Sequence, residues 1–192
     1  EDYSVARLSG GLLDMLAAKH IPVFAVPASQ TGADVLKKAQ VAVNYDPVSS
    51  PALQAFSTLG KTVIDGPRAP AKTPQSVDDF IFDPNDSTVN TIWQKVSAAV
   101  GRQNMGARLF NVSSMLSNLV ALRGARQLVL HLVNYSEYPA SGITARVVGN
   151  YRRARLYRPG EAPVDLDVEK IEDGTGFAID QRIVTIATVV LE

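Results

Sequence analysis

The sequence has 192 residues, of which 46% are hydrophobic and 20% are charged, as in an ordinary globular protein of one large or two small domains. Its 19 basic residues balance its 19 acidic ones, which argues against a nucleic-acid binder steered by net charge. The absence of cysteine excludes disulfides, thiol nucleophiles and thiolate metal sites. The apolar runs are far shorter than the roughly 20 residues that cross a bilayer. We therefore expect a soluble protein with no membrane or nucleic-acid partner.

Helical periodicity alternates with short apolar runs over the first 105 residues. The pattern predicts helices at residues 3–18, 31–39 and 52–59, and a last one from Asp86 or Ser87 to about residue 100. Residues 66–74 are predicted to be a loop. Strands that are apolar on both faces and alternate with helices are typical of a parallel sheet covered on both sides. The sequence thus predicts an α/β domain over residues 1–105. Its strands are expected at residues 21–26, 41–45 and 61–65, with a further candidate at 77–82.

Short strands separated by turns follow from about residue 106. Turn-forming pairs occur at residues 149–150, 159–160 and 173–174, and we interpret residues 174–176 (GTG) as part of a turn. Residues 112–122 fit either a helix or a strand, and we favour a strand that pairs with residues 127–135. This spacing predicts a small antiparallel β-sandwich over residues 106–192. Its other strands are expected at residues 143–148, 151–158, 164–171 and 183–191.

Known catalytic and nucleotide-binding motifs are absent from the sequence, which has no G-x-S-x-G elbow, no P-loop and no H-E-x-x-H motif. His20 follows a predicted helix, where a contact with the helix dipole explains it. For His131, in a central strand, we favour a packed structural histidine over a catalytic one. Glycosylation-type triplets begin at Asn85, Asn111 and Asn134, but so short a pattern does not establish export. We predict no catalytic residue, no metal site and no cofactor.

The most informative cluster is the run YRRARLYR at residues 151–158. If Ala154 and Leu156 face the core of a strand, the alternating residues share the opposite face. Such an aromatic and cationic stripe can stack on a sugar or hold an acidic group. The candidate ligand-binding residues are Tyr151, Arg153, Arg155 and Tyr157.

A structural interpretation of the same charges is also available, and we favour it. Residues 164–170 alternate too, so a hairpin with an odd-numbered loop places Arg155 opposite Asp165 and Arg153 opposite Asp167. Each exposed cross-strand pair contributes only about 0.2–1 kcal/mol. That is enough to favour one register, but not to hold a fold together.

Residues 128–135, with 143–157 and the closing run 183–191, resemble the C-terminal β-domain of β-galactosidase-like glycoside hydrolases. In those enzymes a catalytic barrel precedes a flavodoxin-like domain and a small β-domain. Residues 12–26, 33–45 and 53–65 resemble their flavodoxin-like trimerisation domain, which is related to class I glutamine amidotransferases.

This resemblance implies a non-catalytic role for the chain. The acid and nucleophile glutamates of those enzymes lie on the barrel, which this chain does not contain, and the amidotransferase cysteine has no counterpart here. The leading hypothesis is a scaffold and oligomerisation region of a larger glycoside-hydrolase-like protein, with the missing N-terminal catalytic domain or a homo-oligomer as partner.

Two other hypotheses remain. The second is a carbohydrate-binding module that uses the stripe from Tyr151 to Tyr157, and the third is a divergent hydrolase or transferase. Because the numbering opens at Glu1 without a methionine, we expect a mature product or a piece of a longer polypeptide. The sequence does not fix the compartment, and a secreted or periplasmic location is compatible with it.

Overall fold

A computed structural model of the protein describes residues 3–27, 32–45, 51–66, 87–122 and 126–192. The chain divides into two compact units. The first unit comprises Glu1–Leu16 with Val23–Arg102, and the second comprises Ala17–Pro22 with Gln103–Glu192. None of the described helices is long and apolar enough to cross a membrane.

The first unit contains a β-α-β arrangement. Its two strands run parallel, with Val41 opposite Thr62 and Asn44 opposite Asp65. A parallel pair needs a crossover connection, and the helix between the two strands contacts both of them. The predicted parallel pairing at residues 41–45 and 61–65 is therefore confirmed. The elements are α1 (Tyr3–Ala18), α2 (Ala33–Lys38), β1 (Val41–Asn44), α3 (Pro51–Thr58), β2 (Thr62–Asp65) and α4 (Ser87–Val100).

Apolar burial and one lysine hold these elements in place. Phe56 of α3 is fully buried, and Ile92 and Val96 of α4 are buried. The latter two lie four residues apart, which is the spacing of one helix face. The Lys61 ammonium donates to carbonyl oxygens at the end of α2, at 2.5 Å from Leu36 O and 2.6 Å from Ala39 O. A cation at this position satisfies carbonyls that have no partner within the helix.

One strand predicted for the first unit is wrong, and another is not tested. The strand predicted at residues 21–26 does not form, and the segment has no regular secondary structure. Pro22 has no amide proton for a ladder, and the Phe24 side chain is 53% exposed. The candidate strand at 77–82 lies outside the described residues. The structure thus shows a small two-stranded parallel sheet with helices, and the flavodoxin-like assignment stays a prediction.

The second unit consists of two antiparallel sheets. One sheet has the strand order β3-β6-β10-β9 and the other the order β4-β5-β11-β7-β8; we call them the four-stranded and the five-stranded sheet. A 3-10 turn at Arg102–Asn104 precedes them. The strands are β3 (Ala107–Phe110), β4 (Met115–Ala121), β5 (Leu128–Asn134), β6 (Ile143–Val147), β7 (Ala154–Tyr157), β8 (Val164–Leu166), β9 (Val168–Ile171), β10 (Gly174–Ile179) and β11 (Ile186–Leu191).

Side chains from both sheets form one apolar core, as in a β-sandwich. Leu130 and Leu132 of β5 and Val189 of β11 come from the five-stranded sheet, while Ile143 and Ile179 come from the four-stranded one, and all five are fully buried. The predicted antiparallel β-rich second half is therefore confirmed. The strand interpretation of residues 112–122 is correct as well, because β4 pairs with β5 along its whole length.

The sheets differ from the prediction where the chain changes sheet. Residues 164–171 form two strands rather than one: β8 pairs with β7 in the five-stranded sheet, and β9 pairs with β10 in the four-stranded one. Residues 174–176 are not a turn but the start of β10. Gly174 has φ +153°, and a Cβ there would lie 2.1 Å from the Val147 carbonyl oxygen, so only glycine fits at this position.

Candidate functional site

The four residues of the predicted stripe do not share one strand face. Strand β7 covers only Ala154–Tyr157, so Arg155 and Tyr157 alone lie on its outer face. Tyr151 is half-buried against the apolar core, and burial raises the pKa of its phenol. The Arg153 backbone precedes β7 and exchanges hydrogen bonds with that of Glu192. The structure therefore separates Tyr151 from the other candidates, whereas the charge of Arg153 lies near enough to Asp165 to contribute to the lowered pKa of that carboxyl.

The predicted ion pair between Arg155 and Asp165 is confirmed. The two residues are directly opposite in the β7–β8 ladder. The Arg155 Nε donates to Asp165 Oδ1 at 2.7 Å, and Nη2 donates to Oδ2 at 3.4 Å. This hydrogen bond lowers the pKa of Asp165 and, with the aspartate charge, raises the pKa of Arg155. Arg155 is therefore already engaged by a carboxylate of its own chain.

The second predicted pair, Arg153 with Asp167, would continue the same register two residues beyond Arg155 and Asp165, and it stays a prediction. The β7–β8 ladder ends where Ala154 pairs with Leu166. Asp167 lies between β8 and β9, where the chain passes from one sheet to the other. Ladder pairing of Arg153 with Asp167 would require the β7–β8 hairpin to continue one position past its last pair.

His131 is exposed rather than packed, which corrects the prediction for this residue. It lies at the centre of β5 on the outer face of the five-stranded sheet. Its Nδ1 shares a 3.1 Å hydrogen bond with the Thr188 Oγ1 atom on the neighbouring strand. The strand is apolar on both faces, but only the face with Leu130 and Leu132 is buried.

The outer face of the five-stranded sheet carries more aliphatic side chains than a solvent-facing sheet normally does. An antiparallel sheet with one covered face usually alternates apolar and polar residues. Here Ile186 is 50% exposed and Val133 42%, and each has an aliphatic neighbour across the ladder. By ladder register the face has three rows: Leu116, Val133 and Ile186; then Asn118, His131, Thr188 and Tyr157; then Val120, Val129, Val190, Arg155 and Asp165.

His20 contacts Ser117 on the other side of β4. The imidazole Nδ1 and the Ser117 Oγ share a hydrogen bond of 2.9 Å. Burial, with a smaller contribution from the Lys19 charge, lowers the pKa of His20 to about 4. Its φ of +61° is uncommon for a residue other than glycine. Among the described residues no group bonds the second ring nitrogen, so the pair has no third member to orient it as a catalytic base.

Asn134 and Asn111, each the first residue of a glycosylation-type triplet, have different environments. Asn134 is 4% exposed, and its side-chain amide donates to the carbonyls of Tyr138, Ile183 and Val184. An oligosaccharide cannot be attached to this amide in the folded unit. Asn111 is exposed and has φ +63°, and among the described residues its side chain makes a long 3.5 Å contact with Thr144. Asn85 lies outside the described residues.

The parts of the chain that the structure describes contain no group of three or more acidic or histidine side chains placed to hold a metal ion. An open depression of about 570 Å³ lies between β2 and α4 in the first unit. Asp65 and Lys95 are the ionisable groups among its described lining residues. Its described lining residues include the Thr62 hydroxyl but no histidine that could act as a base beside it, so they do not form a nucleophile–histidine pair.

No protein-family model matches the sequence, and no curated protein matches it. Among solved structures, the chain is similar to α-L-fucosidase isoenzyme 2 from Paenibacillus thiaminolyticus, a glycoside hydrolase, with 13% sequence identity and a TM-score of 0.45. The similarity covers 55% of this chain and 18% of that one, so the chain matches less than a fifth of that enzyme's length.

Proposed function

We propose that this chain is a non-catalytic scaffold region of a larger glycoside-hydrolase-like protein. In this proposal residues 1–105 form a flavodoxin-like domain that takes part in oligomerisation. Residues 106–192 form a β-sandwich that supports the catalytic domain, with the outer face of the five-stranded sheet as the packing surface. The resemblance of the sequence to the C-terminal region of β-galactosidase-like enzymes motivates the parent protein.

The observation that carries the proposal is the aliphatic outer face of the five-stranded sheet. Two rows of aliphatic side chains, one including Val133 and Ile186 and the other Val190, lie partly exposed on regular strands. Contiguous exposed apolar surface bounded by polar groups is typical of protein–protein interfaces. The rim is polar, since Arg155 and Asp165 close one end of the third row. Such a face gains stability when another protein surface covers it.

A gene-level observation tests the parent protein first. An open reading frame of barrel size upstream of residue 1 supports the proposal, whereas a start codon beside Glu1 overturns it.

The packing surface is tested in the full-length gene product with the double variant V133K/I186K. We expect its thermal unfolding midpoint to fall by several degrees, because two lysines cannot be buried there without partners. In the isolated chain the same variant should lose about 1 kcal/mol, because both positions are partly exposed but the two lysines lie opposite each other and repel across the ladder, so only a larger loss in the full-length product reports a covered surface. Leu59, which is 61% exposed in the first unit, gives the control L59K. Equal effects of V133K/I186K and L59K on the full-length product would contradict the proposal.

A carbohydrate-binding module is the second candidate, and the middle row of the same face favours it. Tyr157 is exposed and lies opposite Thr188, which in turn lies opposite His131, so an aromatic ring adjoins hydrogen-bonding groups as sugar sites require. Titration of the isolated chain with mono- and oligosaccharides, followed by tyrosine fluorescence, separates the two functions. Saturable binding that is lost in Y157A would establish the module and overturn the scaffold. The scaffold proposal expects no saturation and no turnover of glycosides.

A further inference from the structure

Four strands form the edges of the two sheets, and one of them differs from the other three. Strands β4 and β8 are the edges of the five-stranded sheet, and β3 and β9 are those of the four-stranded one. Soluble proteins protect edge strands by keeping them short or by placing charged side chains on them. Three edges follow this rule, because β3, β8 and β9 have only three or four residues each and carry charges. These charged residues are Arg108 on β3, Asp165 on β8, and Glu169 and Lys170 on β9.

Strand β4 has neither form of protection. It is seven residues long, with the sequence MLSNLVA, and it contains no charged residue and no proline. A regular, uncharged edge of this length is a template for pairing with a strand of another chain. Among the four edges, β4 is therefore the one suited to accept a further strand.

The ladder between β4 and β5 shows which backbone groups of β4 point outwards. The Tyr135 amide donates to the Ser114 carbonyl and the Leu122 amide to the Gln127 carbonyl, so the even-numbered residues of β4 bond to β5. The odd-numbered residues direct their N–H and C=O groups away from β5. These residues are Met115, Ser117, Leu119 and Ala121. Among the described residues nothing bonds these outward backbone groups, since His20 contacts Ser117 through the side chain.

We infer that β4 is a dimerisation strand, which pairs with β4 of a second copy of this chain. A two-fold axis perpendicular to the sheet makes the two strands antiparallel and keeps both outer faces on the same side. The free groups meet only when odd-numbered residues are paired with each other. The register centred on Asn118 places Met115 opposite Ala121 of the second copy, and Ser117 opposite Leu119. Each of these pairs combines a large side chain with a small one and exchanges two hydrogen bonds.

The side chains on the outer face favour a second copy in this register. Leu116 of one copy lies opposite Val120 of the other, and each is 38% exposed in the single chain. Moving the register by one bonded pair in either direction instead places Asn118 against an aliphatic side chain. Because the strand is uncharged, two identical copies meet without electrostatic repulsion. This interface lies outside residues 1–105 and needs no parent protein, so its test is independent of the function proposed above.

Sedimentation velocity of the full chain over a series of concentrations measures dimer formation. We expect the 20.6 kDa chain to associate reversibly to a species of twice that mass. N118K places two lysines opposite each other at the two-fold axis and should weaken dimerisation at least about tenfold. S141K adds the same charge on an exposed loop and should leave dimerisation unchanged, and a mixture of N118K with N118E should recover a heterodimer. A chain that stays monomeric up to about 1 mM, or a dimer that both lysine variants affect equally, would overturn the inference.

Disulfide trapping tests the register and the identity of the partner. The chain has no cysteine, so N118C supplies one thiol per copy. Residues opposite each other in a non-hydrogen-bonded pair have Cα atoms about 4.5 Å apart, which a disulfide can span. We expect mild oxidation to link N118C into a dimer. L116C should stay unlinked, because the two copies of residue 116 are offset by roughly 14 Å along the strands. Linking of neither variant, or of both equally, would contradict the inference, and circular dichroism verifies that each variant is folded.

Discussion

Asn134 connects three chain segments of the sandwich, and its removal should destabilise the second unit more than any other polar substitution that we consider. The two protons of its Nδ2 group are shared among three carbonyl oxygens, those of Tyr138 at 2.8 Å, Val184 at 3.1 Å and Ile183 at 3.2 Å. Its Oδ1 accepts from the Ser114 hydroxyl and from the Ser136 amide. These bonds join the end of β5 to the turn after it and to the segment before β11.

The substitution N134A removes all of these hydrogen bonds. Each contributes about 0.5–1.5 kcal/mol net, and buried groups left without a partner cost more than exposed ones. Because some of the carbonyls regain water, we expect a total loss of about 3 kcal/mol. The variant N134D keeps the acceptor atom but places a carboxylate against three carbonyl oxygens. Its folded-state pKa is then raised, so the loss relative to the unaltered chain should shrink as the pH falls towards 4, where the acid is protonated.

Urea unfolding followed by far-UV circular dichroism measures the effect. With a urea dependence of about 2 kcal/mol per molar, a loss of 3 kcal/mol lowers the midpoint by about 1.5 M. Asn118 is exposed on β4, and the control N118A should stay within about 0.5 kcal/mol of the unaltered chain. A midpoint for N134A that matches the control, or a loss in N134D that grows in acid, would refute this reasoning.

Three further predictions concern single residues. In the folded chain the pKa of His20 is lowered from 6.5 to about 4, so the unfolded chain takes up a proton first as the pH falls. The free energy of unfolding should therefore fall by about 1–2 kcal/mol between pH 6.5 and 4, after allowance for partial exposure of the ring. A pH series should show a smaller fall in H20N, and the same slope in both chains would contradict the account. Lys61 binds the carbonyls at the end of α2, so K61M should lower the free energy of unfolding of the first unit by about 1–2 kcal/mol. Urea unfolding followed by the fluorescence of the single tryptophan measures this loss. An unchanged midpoint would show that water replaces the ammonium. A Cβ on Gly174 would clash with the Val147 carbonyl, whereas one on Gly142 meets nothing within 4 Å. G174A should therefore lower the free energy of unfolding by more than about 3 kcal/mol, and G142A, which has only the strain of a positive φ, by about 1 kcal/mol. Similar losses in the two variants would disprove the steric explanation.

Local patterns predicted the elements that depend on neighbouring residues. Alternation along residues 151–158 and 164–170, together with an odd loop length, gave the register that places Arg155 opposite Asp165, and the structure has it. Apolar runs at residues 41–45 and 61–65 were sufficient to predict a parallel pair. In both cases, the information lies within a few residues of the element.

The errors lie where long-range pairing decides the outcome. The switch between sheets at Asp167 depends on β10, which the sequence conceals because Gly174 and Gly176 look like turn residues. The apolar outer face was not predicted, since a strand that is apolar on both sides, such as that around His131, does not show which side is covered. The position of Arg108 opposite Arg146 was not predicted, because these residues are 38 positions apart in sequence and meet only through the β3–β6 register.

Thiol labelling at Val133 tests the central claim, that the outer face of the five-stranded sheet packs against another protein surface. The chain has no cysteine, so V133C places one thiol on this face, and S141C places one on an exposed loop as the control. In the isolated chain at low concentration both thiols should react rapidly. In the full-length gene product, with any other cysteines replaced, V133C should react at least about tenfold more slowly while S141C is unchanged, because burial blocks access to the thiol. Equal rates for V133C in the two proteins would show that nothing covers this face and would contradict the account.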